Sequence, residues 1–209
     1  MRFLAHRGLW HAPSEKNSPE SLRLARAGGV GHETDLRDRS GGLVISHDPP
    51  VSAAPSFSEL LQLYRTLGCT ATLALNIKAD GLRGPLAALL AGAAPVNYFC
   101  FDMSVPETLA YRREGLRFFS RESEFEPAPA LYADAAGVWL DMFLSDWITP
   151  AVVARHLDAA KEVALVSPEL HGRPHLLFWR TLRDACLHEC PGLMLCTDFP
   201  EAARDFFHD

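Results

Sequence analysis

The sequence predicts an α/β protein of the (β/α)8 TIM-barrel class, compact and folded as one domain over residues 1–209. Three observations predict it. Short apolar runs alternate with longer amphipathic segments from end to end, the pattern of a parallel sheet covered by helices. Eight such strand–helix units follow one another. The length of 209 residues, 48% hydrophobic and 22% charged, suits a globular chain with a sizeable core. That length lies at the small end for a barrel, so the loops must be short.

The units are read off in order. Strand one is Arg2 to Ala5, and its helix starts at Ser18, with Pro19 in the first turn, and stops at Gly28-Gly29. Strand two covers Gly31 to Leu36, extended by Leu43 to Ser46. Ser56 caps a helix to Gly68, with Phe57, Leu60, Leu61 and Tyr64 spaced for one face. Strand three is Thr70 to Ile77, followed by a helix from Leu82 to Ala93. Strand four is Tyr98 to Phe101, and Ser104-Val105-Pro106-Glu107 opens the next helix as a capping box. Strand five, Arg117 to Ser120, is followed by a loop around Pro127 and Pro129 and a short helix near Leu131 to Ala136. Strand six is Val138 to Leu140, and Thr149 caps a helix to Lys161. Strand seven is Val163 to Val166, and the helix after it runs from Leu176 to Cys190. Strand eight is Leu193 to Cys196, with a last helix from Pro200.

Composition narrows the function classes. A net charge of −6 without a basic run argues against a nucleic-acid partner. Polarity returns at His6, so no secretory apolar region is expected, and no apolar run approaches the ~18 residues of a membrane span. Cys69, Cys100, Cys186, Cys190 and Cys196 read as reduced, buried thiols of a cytoplasmic protein. Cys186 and Cys190 with His188 between them fall at helical spacing and read as core packing rather than a zinc site.

Barrel active sites lie at the carboxyl ends of the strands. Those ends carry His6 and Arg7, Glu33 and Asp35, His47, Asn76 and Lys78, Asp102, Arg121 and Glu122, Asp141, Glu169 and His171, and Asp198. Glu33 and Asp35 sit two apart in a strand, so both carboxylates point to one face. Such a pair repels itself unless a cation or a shared proton intervenes, which points to a hard divalent metal, Mg²⁺ or Ca²⁺. Arg7 and Lys78 suit the neutralisation of a phosphate, and two histidines suit proton transfer near neutral pH. Trp10, Trp139 and Trp147 either line the mouth or pack beneath it.

Four pieces in order, His6-Arg7-Gly8, Lys16-Asn17-Ser18, Glu33-Thr34-Asp35 and His47-Asp48, resemble the amino-terminal signature of the glycerophosphodiester phosphodiesterase family. Cys196-Thr197-Asp198-Phe199-Pro200 resembles the segment that closes that family's barrel. The resemblance implies a metal-dependent phosphodiester hydrolase acting on a small or lipid-derived phosphodiester. It implies His6 and His47 as general acid and base, and Glu33, Asp35 and Asn76 as metal ligands. Arg7, Lys78 and Glu169 would hold the substrate. The chain departs from the family in two places. Asn76-Ile77-Lys78 stands where the family has Glu-x-Lys, leaving one negative charge fewer unless Asp102 or Asp141 replaces it. Ser167-Pro168-Glu169-Leu170-His171 stands where the family often has an aromatic followed by Thr-Val-Asn. The chain also lacks the glycerol-recognition insert that many members carry. Two other readings stay open: a cyclising phosphodiesterase or lyase using the same histidines, and a barrel that binds a phosphorylated ligand without turning it over.

Overall fold

Every apolar run singled out above becomes a strand. The computed structural model describes residues 1–208 apart from 52, 67, 69 and 93–95. Cys69 and Ala93, the expected end of the third helix, therefore lie outside the described residues. The strands are β1 (Arg2–His6), β2 (Gly31–Arg39), β3 (Gly42–Ile45), β4 (Leu73–Ile77), β5 (Tyr98–Phe101), β6 (Phe119–Glu122), β7 (Gly137–Leu140), β8 (Glu162–Val166) and β9 (Leu193–Thr197). Between them lie α1 (Pro19–Ala27), α2 (Phe57–Thr66), α3 (Arg83–Leu90), α4 (Val105–Arg113), α5 (Pro150–Asp158), α6 (Leu176–Asp184) and α7 (Pro200–His208). The sheet order is β5-β4-β2-β1-β9-β8-β7-β6, with β3 off this path and paired to β2. The fold is a (β/α)8 barrel carrying one extra antiparallel strand.

The chain divides into two compact units, residues 5–118 and residues 1–4 with 119–209. In the first, β2 pairs in parallel with β4, and β4 with β5. Leu73, Leu75 and Phe99 are wholly buried, as parallel strands covered on both faces require. Ser18 caps α1 by accepting from the Ser21 N–H, as the sequence leads one to expect. On α2, Phe57, Leu60, Leu61 and Tyr64 form the buried face. His32, next to Glu33 but on the other face of β2, is a satisfied core histidine. Its Nδ1 lies 2.9 Å from the Tyr64 hydroxyl, and burial, with Arg26 nearby, pushes its pKa down to about 3.

In the second unit β6, β7, β8 and β9 pair in parallel in that order. Thr149 caps α5 by accepting from the Val152 N–H. The buried stripe of α6 is Phe178, Trp179 and Leu182.

Several expectations need correction. The extension of strand two is a separate strand, because left-handed Ser40 (φ 51°) and Gly41 (φ 83°) turn the chain into a hairpin, pairing Leu36 with Ile45. Ser104 accepts from the Glu107 N–H, but Glu107 does not reach back to complete a capping box. Its carboxylate takes the Gly81 N–H at 3.0 Å instead. Strand five lies two residues later than expected, so Arg121 and Glu122 belong to β6. Residues 131–136 are turns rather than a helix, since Leu131 is left-handed (φ 56°) and its carbonyl takes both the Asp134 and Ala135 N–H groups. The helix expected to reach Cys190 stops at Asp184, because Cys186 is left-handed (φ 54°). Only a 3-10 turn, Leu187–Glu189, follows. Cys186 is consequently exposed and Cys190 half-buried, whereas Cys100 and Cys196 are buried as expected. Trp139 is buried in β7, and Trp147 donates its indole N–H to the Asp141 carbonyl at 2.8 Å.

Candidate functional site

In the unit of residues 5–118, the candidate site grows from the end of β1. Arg7 is held left-handed (φ 58°), and Gly8 (φ 93°) follows so close to α1 that a Cβ there would meet the Ser21 carbonyl carbon at 2.7 Å. Only glycine fits, and the turn that it permits aims Arg7 back over β2. Arg7 Nε lies 2.9 Å from Asp35 Oδ2, and Lys78 Nζ lies 3.4 Å from Asp35 Oδ1. The parallel register sets Asp35 beside Asn76, one strand across. His6 Nε2 lies 3.9 Å from Glu33 Oε2. Five residues singled out in the sequence are thus tied by these contacts around Glu33 and Asp35: His6, Arg7, Lys78 and the pair itself. Asn76 joins them through its place in the register.

Asn17 is the member that sequence reasoning did not assign. It is buried and left-handed (φ 61°); its Nδ2 donates to Asp35 Oδ2 at 2.8 Å while its Oδ1 accepts from Thr34 Oγ1 at 2.8 Å. Its backbone N–H goes to the Arg7 carbonyl at 2.9 Å, so it fixes both halves of the Arg7–Asp35 pair. The signal was present in Lys16-Asn17-Ser18, since asparagine is the non-glycine residue most at home in that conformation.

The electrostatics are unusual. Glu33 is 2% exposed and Asp35 wholly buried. Burial, then repulsion by Asp35, pushes the Glu33 carboxyl up to about 8, against the pull of Arg7 and Lys78. Three buried oxygens, Glu33 Oε2, Asp35 Oδ1 and Asn76 Oδ1, have no hydrogen-bond partner among the described residues. Buried oxygens are normally satisfied, so three such oxygens on adjacent strands fit the donor set of a hard cation. Among the described residues no three His, Cys, Asp or Glu side chains gather as a metal cluster. The trio here is two carboxylates and one amide.

No family model matches the sequence, and no curated relative matches it. Solved structures do. One is a Galdieria sulphuraria protein provisionally assigned as a glycerophosphodiester phosphodiesterase. It is 16% identical with a TM-score of 0.77, covering 100% of this chain and 98% of that one. A second is the glycerophosphodiester phosphodiesterase of Agrobacterium tumefaciens, 17% identical with a TM-score of 0.69 over 98% and 99% of the two chains. A third is an Oleispira antarctica phosphodiesterase in complex with its product sn-glycerol-3-phosphate. It is 16% identical with a TM-score of 0.71 over 100% and 97%. The chain has the glycerophosphodiester phosphodiesterase fold.

Within that glycerophosphodiester phosphodiesterase fold the remaining strand-end residues are placed as follows. His47 follows β3, exposed, with Nδ1 2.9 Å from Asp48 Oδ1 and its carbonyl accepting from Arg37 Nε. Asp102 follows β5 in a left-handed conformation (φ 67°) and adds to the charge that raises Glu33. In the second unit, Asp141 Oδ1 lies 2.6 Å from His171 Nε2. Glu169 is bonded by the Ser167 and Thr197 hydroxyls and by the Asp198 N–H at 3.2 Å, and lies 3.7 Å from His175 Nδ1.

Proposed function

We propose that this chain, acting as one domain over residues 1–209, is a metal-dependent phosphodiester hydrolase of the glycerophosphodiester phosphodiesterase type. The observation that carries this reading is the set of three buried oxygens on Glu33, Asp35 and Asn76 that make no hydrogen bond among the described residues, bordered by Arg7 and Lys78. Glu33, Asp35 and the Asn76 amide oxygen would hold a Mg²⁺- or Ca²⁺-sized ion. When bound, that ion supplies Lewis-acid neutralisation of a phosphoryl oxygen.

The chain's own residues do the rest. Arg7 and Lys78 bring fixed positive charge to the phosphate. His6, close to Glu33, is a candidate for moving a proton to or from the reacting oxygens. His47 is proposed as its partner. Its Nδ1 lies 2.9 Å from Asp48 Oδ1, so Nε2 would be the nitrogen that exchanges a proton. Glu169, assigned to the substrate on sequence grounds, we read as a residue that positions the β8 and β9 ends. The neighbour that holds sn-glycerol-3-phosphate supports a small phosphodiester as substrate. A cytoplasmic setting is part of the same reading, resting on the cysteines as the sequence presents them. No helix among the described residues is long and apolar enough to cross a membrane.

A panel of phosphodiesters assayed with Mg²⁺, Ca²⁺ or exhaustive chelation tests the proposal, wild type beside His47→Ala. Metal-dependent cleavage that falls about 10²–10⁴-fold in His47→Ala is the expected result. Cleavage that survives chelation would remove the ion from the mechanism, and unchanged turnover in the variant would remove His47.

A further inference from the structure

At the other ends of β2 and β4, within the same unit, α1 and α2 leave between them a cavity of about 670 Å³. Arg23, Arg26, Gly29, Leu63 and Thr70 are among its lining residues, and among the described residues none that lines it is a carboxylate. Arg26 is 3% exposed. Its Nη2 donates to the Tyr64 carbonyl at 2.8 Å and its guanidinium carbon lies 3.9 Å from the centre of the Tyr64 ring. Nε and Nη1 are buried without a hydrogen-bond partner among the described residues. The Tyr64 hydroxyl lies against His32 and is a hydrogen-bond partner of neither nitrogen.

A guanidinium cannot shed its proton to escape burial, and a buried cation without a counter-charge is costly. The ring and the carboxyl-terminal end of α1 offset part of that cost, but neither supplies an acceptor to the two orphaned nitrogens. Arg23 adds a second guanidinium at the same cavity. Its partner, Glu20, makes an exposed (i, i+3) pair that water and salt screen.

We propose that this cavity binds a small oxyanion of the phosphate type, with Arg26 as the buried donor and Arg23 at the rim. A phosphate group fits because it accepts on several oxygens and matches the charge of two guanidiniums. The site does not involve Glu33, Asp35 or Arg7, so it stands whether or not the chain is a phosphodiesterase.

Titration of isotope-labelled protein with inorganic phosphate at constant ionic strength, with chloride as control, tests it by amide chemical shifts. Saturable shifts at Ala27, Gly29, Thr70 and Ala71, retained in Arg7→Ala, are expected. Arg26→Leu should weaken that binding about tenfold or more, in line with loss of a charge-assisted hydrogen bond. Arg23→Ala should weaken it several-fold, and this exposed change keeps the test open if Arg26→Leu fails to fold. A parallel titration with glycerol phosphate separates a preference for a phosphomonoester, which would bind tighter, from recognition of the phosphate group alone, which would bind equally. Shifts that chloride reproduces, that fail to saturate, or that persist undiminished in both arginine variants would overturn the proposal.

Discussion

Two pairs of carboxylates, one in each unit, live in opposite conditions. In residues 119–209, Glu169 and Glu124 are well supplied with donors. Glu169 collects two hydroxyls and a backbone N–H. Glu124 collects the N–H groups of Phe143, Leu144 and Ser145, and although burial works against it, these donors hold its carboxyl down to about 2. In residues 5–118, Glu33 and Asp35 each keep a buried oxygen that makes no hydrogen bond among the described residues, and Glu33 is driven the other way. On the proposed reading, the carboxylates furnished with protein donors are scaffold and the pair denied them is the one that would hold the cation.

The largest expected effect separates the two kinds. Glu33→Ala should abolish hydrolysis and calorimetric Mg²⁺ or Ca²⁺ binding while leaving thermal stability in chelator unharmed. Glu169→Ala should cost about 1–3 kcal/mol of stability, because it strands the donors of Ser167, Thr197 and Asp198. If Glu169→Ala melts like wild type while Glu33→Ala unfolds, the contrast is the wrong way round. Next comes His6→Ala, expected to lower turnover by about 10²–10⁴-fold with the fold intact. Near-normal turnover on a substrate that the wild type cleaves would end its role in proton transfer.

A smaller effect is expected from pH. Because the folded-state pKa of Glu33 is raised, its contribution to stability is present below the ordinary carboxylate value of about 4.5. That contribution is lost as pH climbs through about 8. Melting of the metal-free protein between pH 5 and 8 should show that decline, and Glu33→Gln should flatten it. A parallel slope in both proteins would mean that Glu33 ionises as freely as an exposed acid. The smallest effect belongs to Asn76→Glu, which restores a third carboxylate. Calorimetry should find the ion bound more tightly, by roughly tenfold for one added hydrogen-bond-scale contact. Unchanged affinity would mean that position 76 is not a ligand.

Much of this contrast was legible in the sequence, and the rest was hidden for physical reasons. Ser18 and Thr149 announce their helices because capping is a local event between residues three apart. Glu33 and Asp35 announce their shared face because strand periodicity is local too. Glu169 looked equally poised at its strand end, but one of its three donor residues comes from β9, 28 positions away, and another directly follows that strand. Nothing in its own neighbourhood reveals that. The ends of helices were misjudged where a single residue turned left-handed, as at Cys186, since a non-glycine residue gives little warning of that choice. Asn17 was visible only as a member of a motif. Its task depends on Asp35 and Thr34 arriving from another strand.

The division into two units has an optical consequence. Of the four tryptophans, Trp139, Trp147 and Trp179 belong to the unit of residues 119–209 and only Trp10 to the other. The four tyrosines are sorted the opposite way, with Tyr64, Tyr98 and Tyr111 in residues 5–118 and Tyr132 alone outside. Trp179 is wholly buried, its indole N–H donating to Ser167 Oγ at 2.9 Å, so its emission is tied to the integrity of α6 and β8. Tryptophan fluorescence and tyrosine absorbance therefore watch different halves of the chain. Coincident transitions by the two signals are what a single cooperative barrel requires, and separate ones would date the loss of each half independently.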